Sequence, residues 1–365
     1  MKPLAKIFFY LLISVLVGAL VAPWIYLFVK GWLCSHLGSL FPLIASIAAM
    51  PFHRYFSRSV QISALVLLWP MVRWLGMYHL ADFSLYPNHH ARADLLWGIA
   101  AAIVPLVSLE VFFIGKGWYV LTPSFHPALL LKFLAAASVV ALLEEFFFRG
   151  LLLGVSRRAF GDLARMFHTD LLRKPGSQMD AALDSHFDLG SMYTYSPASK
   201  YSPALPHQPS QPPRHDQYET SGLGALWFTS LFFAAIHFLN MPHEGFTNVD
   251  WSSGLKLCMQ VGQGLPIMPL FLGAFANLTI LGMILAWVTL RTHSLWLAIG
   301  LHAGWIFAQQ AFNQMAHFAI HPPELLLPWI GLPQVHGMVP VGMLFFFPMI
   351  ASVLLLKLTQ RFRER

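Results

Sequence analysis

Apolar stretches of about 20 residues recur along this chain, separated by short polar links. A helix rises 1.5 Å per residue, so a hydrocarbon layer about 30 Å thick needs about 20 such residues to cross it. Stretches of that kind run over 7–29, 60–78, 95–115, 128–154, 223–240, 266–290, 294–318 and 338–358. A shorter run, 37–50, carries no charge and is marginal in length. It reads as a short span or as a re-entrant or tilted segment. The pattern predicts an all-α polytopic membrane bundle of eight or nine transmembrane helices. Lys2 and Lys6 precede the first run as in a secretory leader, but the run is long for a cleaved apolar region and no small-x-small site follows it. It reads as an uncleaved first span.

One segment breaks the pattern. Residues 156–222 hold seven charges of each sign, and six prolines fall between Pro197 and Pro213. Proline removes the backbone donor and clashes with the preceding turn, so Ser196–His215 reads as an extended cytoplasmic loop. The part at 157–190 has the periodicity of a short surface helix, and the segment as a whole could dock a protein partner. The organisation expected is an N-terminal transmembrane region over 1–127 and a core over 128–318, interrupted by 156–222. A last helix and basic tail follow over 319–365.

Composition agrees with the pattern. Charged residues make up 11% of the chain and apolar ones 57%, against about a quarter charged in soluble proteins. A soluble fold could not cover its surface with so few polar side chains, and the formal charge of +7 is no sign of nucleic-acid binding here. Lys and Arg gather in cytoplasmic loops, which places 157–174, Arg291 and Arg361–Arg365 on the inner side. Lys2 and Lys6 join them only if 37–50 does not span. Cys34 and Cys258 read as two unrelated thiols.

Ionisable side chains within spans are expensive and mark functional positions. The run Leu142-Leu143-Glu144-Glu145-Phe146-Phe147-Phe148-Arg149 sets two carboxylates beside three phenylalanines. Glu145 and Arg149 are four apart and share a helix face, so they can pair. Glu144 lies about 100° around the axis and is left available for chemistry. The bland alternative puts all three at a span end facing water. His237 closes Phe233-Ala234-Ala235-Ile236-His237, and His302 sits in Gly300-Leu301-His302-Ala303-Gly304-Trp305. Both lie inside apolar spans, whereas His89, His90, His207 and His215 read as solvated or interfacial. Glu144, His237 and His302 come from three helices and can converge in a bundle core.

A buried glutamate with an imidazole can activate water, and a second imidazole can donate to an oxyanion. The same three side chains could instead bind Zn²⁺ as a metalloendopeptidase, with one position left for water. No cofactor is assigned on the residues alone. No HExxH helix, G-x-S-x-G elbow or suitably flanked cysteine offers another route. Glu110 is a further intramembrane acid with no evident role.

Glu144-Glu145-x-x-x-Arg149, Phe233-x-x-x-His237 and His302 within Arg291–Trp305, in this order, resemble the CPBP family of intramembrane proteases. That family includes type II CaaX prenyl endopeptidases and bacteriocin-processing or self-immunity proteins. The resemblance covers about 128–318. It implies a helical bundle with a conical cavity open to the cytoplasm and a catalytic set of Glu144, Glu145, His237 and His302. In that set Glu144 and His237 activate water, His302 supports the oxyanion, and Arg149 and Phe233 support the site. Two departures matter. Ile306 stands where the family commonly has Asn, which leaves Asn277, Gln309 and Asn313 as the polar intramembrane candidates for that role. The segment 156–222 replaces a short loop and is expected near the mouth of the site.

The leading expectation is an intramembrane endopeptidase acting on a membrane-embedded, lipidated or pro-peptide substrate. The expected location is a bacterial inner membrane, with the lipid bilayer as the other partner and no nucleic acid involved. A proton-coupled transporter using Glu144 and the histidines, or a catalytically silent scaffold of the same fold, are the alternatives.

Overall fold

The computed structural model describes residues 3–85, 90–122, 127–160, 215–239, 248–260, 268–319, 326–330 and 342–359. Most of them are helical. Helix α1 (Pro3–Leu27) continues through a π-helical turn at Phe28–Leu33 to Leu37, an apolar rod of 35 residues. Then come α2 (Pro42–Ala48), α3 (Phe52–Trp74) and α4 (Ala91–Gly115). Helix α5 (Ala128–Glu145) runs on through a π-helical segment, Phe146–Leu152, and remains helical to residue 160. The chain resumes with α6 (His215–His237), α7 (Ser253–Met259), α8 (Met268–Thr292), α9 (Trp296–Met315), α10 (Leu327–Ile330) and α11 (Phe346–Leu358).

Contacts along the helices fix their directions. Lys6 Nζ donates to the Trp74 carbonyl and Tyr10 Oη to the Ala64 carbonyl, both at 2.7 Å, so α1 and α3 are antiparallel. Helices α4 and α9 run parallel, because Gly98 faces Leu297 and Leu301 while Gly304 faces Ile99 and Ala102. Helix α5 opposes α9: Gly150 lies beside Leu295, and Glu145 beside His302. Helix α6 opposes α8, with Phe238 against Phe271 and Ser230 against Gly282. Helix α11 follows α8, from the Asn277–Gly342 hydrogen bond to Lys357 over Trp287. The starts of α1, α4, α6 and α9 and the ends of α3, α5, α8 and α11 therefore share one end of the bundle, called here the near end.

The α4–α9 pair is the most extensive helix contact in the fold. Its seam carries Gly98 and Ala102 on one helix and Gly300 and Gly304 on the other, the small-residue spacing that lets helix backbones touch where no hydrophobic force separates lipid from protein. A Cβ at Gly300 would run into the Leu95 carbonyl oxygen, and one at Gly304 would sit 2.8 Å from the Ile99 oxygen. Lipid-facing positions such as Leu12, Val66, Val104 and Leu131 are exposed, as an apolar solvent requires.

Three helices are long and apolar enough to cross a membrane by themselves: Pro3–Leu37, Ala91–Gly115 and Leu270–Thr292. Gly222–His237 and Met343–Leu358 are apolar but shorter. The expected count of eight or nine is thus not reached among the described residues. Helices α5 and α9 hold Glu144, Glu145 and Arg149, and His302 with Gln309, Gln310 and Asn313, so polar residues interrupt the apolar runs that a span needs. The run at 37–50 contains only the seven-residue α2, about 10 Å of helix, which is too short to cross. Lys6 and Arg157 consequently lie at the same end.

The expected second span at 60–78 sits earlier, at Phe52–Trp74. Residues 316–318, expected to continue a span, form a short strand instead. Strands β1 (Tyr119–Leu121) and β2 (Ala316–Phe318) pair antiparallel, Val120 opposite His317, and tie the ends of α4 and α9 together. Of the polar segment, 157–160 and 215–222 are helical, so its C-terminal boundary falls within α6; the surface helix and proline-rich stretch expected between them lie outside the described residues. Cys34 and Cys258 are free thiols.

Candidate active site

Glu144 and Glu145 end the regular part of α5, and the wider π-helical turn begins at the next residue. Such turns carry one residue more than the α-helical ladder accommodates and are frequent at functional sites. Glu145 points inward. Its Oε1 accepts from Arg149 at 3.0 Å and from His302 Nδ1 at 2.7 Å. Arg149 also donates to the Gly282 carbonyl at 3.2 Å and lies over the rings of Phe233 and Phe148, 4.5 and 5.6 Å from their centroids. Both members of the ion pair are removed from solvent. The desolvation that this imposes is offset by the geometry of the pair, by the backbone acceptor and by two aromatic faces. These residues do not lie at a span end facing water.

The two imidazoles have defined tautomers. Glu145 accepts, so His302 Nδ1 carries the proton that it donates. The Phe233 carbonyl can only accept, so His237 Nδ1, 2.7 Å away, carries the proton of that hydrogen bond. With Nδ1 so engaged, each ring in its neutral form presents a lone pair on Nε2. Both Nε2 atoms lie 3.8 Å from the same oxygen, Glu144 Oε2. That oxygen is buried and has no hydrogen-bond partner among the described residues. Phe233 packs between the two rings, 4.5 Å from His237 and 5.9 Å from His302, and limits how far either can turn.

Glu144 is 30% exposed and His237 23%, and both open on a cavity of about 210 Å³. Leu106, Val140, Leu278, Trp305, Ile306 and Met349 make most of its apolar wall, and Gln309 adds an amide. On α5, α8 and α9 these lining residues lie on the far-end side of Glu145, Gly282 and His302. On the near-end side, Leu151, Leu152, Leu285 and Leu297 are fully buried members of one apolar cluster, called here the floor. Residues 160 and 215, which flank the segment 161–214, lie at the near end; the expected place of that segment near the mouth falls outside the described residues.

The other expected site residues lie apart. Asn277 is buried, but its Nδ2 donates to the Gly342 carbonyl at 2.7 Å and ties down the turn before α11; it does not line the cavity. Gln309 lines the cavity and donates to Asn313 Oδ1 at 3.3 Å. Glu110 is buried near Tyr119, outside the cavity wall. Among the described residues no group of three His, Cys, Asp or Glu side chains is placed to hold a metal ion, so the metalloendopeptidase expectation gains no support. Trp305 is the residue that sequence reasoning passed over. It lines the cavity, is 7% exposed, and its Nε1 has no hydrogen-bond partner among the described residues. The available signal was its spacing, three residues after His302 and hence on a shared helix face.

Comparison with curated proteins and with solved structures gives no match. The family model described as type II CAAX prenyl endopeptidase Rce1-like matches residues 126–308, half of the 365-residue chain. The match takes in α5, α6, α8 and the part of α9 that holds His302, the four helices that build the site. With Glu144, Glu145, Arg149, His237 and His302 all inside the matched region, the chain belongs to the Rce1-like family of type II CAAX prenyl endopeptidases.

Proposed function

We propose that the chain is an intramembrane endopeptidase in which Glu144 and His237 activate water for attack on a peptide carbonyl of a membrane-associated or lipidated substrate. Family membership supports proteolysis. The residue assignment rests on one observation, the approach of both imidazole Nε2 atoms to the unpartnered Glu144 Oε2. A water seated against these atoms finds only lone pairs, so its hydrogens point at them and its own lone pair is free for the substrate. As its oxygen bonds to the carbonyl carbon, one proton passes to Glu144. That proton goes to the amine nitrogen when the C–N bond breaks, leaving an acid, an amine and the original carboxylate. Glu145 and Arg149 position His302, whose Nε2 lone pair helps to hold the water, a place different from the oxyanion support that the resemblance implied.

Orientation follows from charge. The near end carries Lys6, Arg73, Arg92, Arg157, Arg158, Arg291 and Lys357. The far end carries Lys30, Arg54, Arg58, Lys116, Lys132 and Lys256. The near end is the richer in lysine and arginine among the described residues, and we place it in the cytoplasm. The cavity then faces the opposite leaflet, and in a bacterial inner membrane the substrate reaches it from the outer side. This reverses the cytoplasmic opening implied by the resemblance.

The test uses the full chain in proteoliposomes with transmembrane and lipidated peptides, and mass spectrometry of the fragments. Glu144→Gln and His237→Ala should each lower kcat by about 10²-fold or more while insertion and thermal unfolding stay as in the parent. Cleavage by Glu144→Gln at the parental rate refutes the assignment.

A further inference from the structure

We propose that the indole Nε1–H of Trp305 donates a hydrogen bond to the substrate's scissile carbonyl oxygen, the donor role that Ile306 cannot fill. The inference rests on the hydrolytic reading above. Attack on a carbonyl places negative charge on its oxygen, and a site accelerates the step chiefly by holding donors at that position beforehand.

Four residues lining the cavity carry side-chain N–H groups: His237, His302, Trp305 and Gln309. Both histidines spend their Nδ1 protons, on the Phe233 carbonyl and on Glu145, and present lone pairs to the cavity side. Gln309 gives one hydrogen to Asn313. Trp305 differs from all three, because an indole nitrogen can only donate and this one donates to nothing among the described residues. A buried donor left unpaired costs about 1–3 kcal/mol, so a cavity-lining position with that deficit is suited to an incoming acceptor. Trp305 stands one helical turn from His302, on the same face of α9. The proposal turns the oxygen of a carbonyl attacked by water at Glu144 and His237 toward the α9 face that Trp305 and His302 share. Aliphatic and aromatic neighbours (Leu106, Leu281, Phe345) make this a low-dielectric surrounding in which one neutral donor acts strongly. They also select an apolar side chain at the residue contributing that carbonyl.

The experiment replaces Trp305 with phenylalanine and, separately, with benzothienylalanine, whose sulfur keeps the bicyclic shape and removes only the N–H. Both proteins are assayed against the parent on a peptide the parent cleaves, with affinities for that peptide and for a phosphinate analogue of the tetrahedral intermediate. The expected result for benzothienylalanine is a 10²- to 10³-fold fall in kcat, little change in KM and a parallel loss of phosphinate affinity. A packing role alone would leave the benzothienyl protein at parental kcat, and that outcome overturns the proposal while the hydrolytic reading stands. A parent that cleaves no peptide refutes the hydrolytic reading, and the donor assignment falls with it.

Discussion

The Glu145–Arg149 pair makes a prediction whose signature is non-additivity. Glu145→Leu removes the carboxylate that neutralises a fully buried guanidinium and leaves it with the Gly282 carbonyl and the faces of Phe233 and Phe148. Arg149→Met leaves the Glu145 carboxylate with only the His302 Nδ1 hydrogen bond. Stranding one charge of a buried pair costs about 3–5 kcal/mol, so each single variant should lose that much stability. The double variant strands neither charge and fills the space with apolar atoms, and should lie close to the parent. The coupling energy in the cycle is then about 6–10 kcal/mol, well above the ~3 kcal/mol upper end seen for ordinary contacting pairs. Unfolding in mixed micelles titrated with denaturing detergent, read by tryptophan fluorescence, gives the three values. Activity should behave differently from stability. His302 has lost its Nδ1 acceptor in the double variant and is free to change tautomer, so a well-folded double variant should remain inactive. Single variants that lose less than about 1 kcal/mol, or a double variant as unstable as the sum of the two, would refute the account of a mutually neutralised buried pair.

Three further outcomes follow from the geometry. Gly300→Ala forces a methyl into the Leu95 carbonyl and should destabilise the α4–α9 seam by about 1–3 kcal/mol, and an unchanged Tm would show the helices are not in backbone contact. In a variant without Cys34 and Cys258, an impermeant maleimide on intact cells should label Lys116→Cys and spare Arg158→Cys; the opposite pattern reverses the orientation proposed above. The Asp250 carboxyl, at the start of α7, is held well below its usual range by the Lys256 ammonium and the Ser252 and Ser253 hydroxyls. A depressed carboxyl contributes order above its unfolded pKa and loses it as pH falls through the folded value. Amide exchange in α7, corrected for intrinsic rates, should thus stay level through neutral and mildly acidic pH and rise only in stronger acid, whereas Asp250→Asn should exchange faster throughout.

Much of the site was legible because helical spacing is a local rule. The four-residue separation of Glu145 and Arg149 was enough to pair them, and the one-residue offset of Glu144 was enough to send it elsewhere. The apolar runs located the helices, with starts displaced by as much as eight residues at α3 and α6, and the parity of the lysines already left 37–50 as the segment in doubt. What escaped depends on tertiary geometry. That His302 bonds Glu145 through one nitrogen while offering the other to Glu144 follows from the approach of α9 to α5, where Gly150 packs beside Leu295 from a distant part of the sequence. Asn277 looked like a site residue because amides are rare in spans, yet its partner is the Gly342 carbonyl across the bundle. Only its spacing from His302 sets Trp305 apart from the other eleven tryptophans, since an unsatisfied donor is a property of its surroundings. The direction of the cavity was equally hidden, because the relevant floor is four leucines in chains of apolar residues that all look alike.

That leucine floor bears on how a polypeptide could be handled. On the hydrolytic reading proposed above, a cut strand would have to displace Leu151, Leu152, Leu285 and Leu297, all fully buried, to advance toward the near end. That disfavours threading, and with it processive digestion of the kind that hands successive bonds to one centre. A single scission per encounter is the expected outcome, with both fragments leaving along the path by which the substrate came in. Segments able to bend away from the bilayer for a short length, such as chain ends and loops flanking an anchor, meet that requirement. A straight helix lying within the membrane does not.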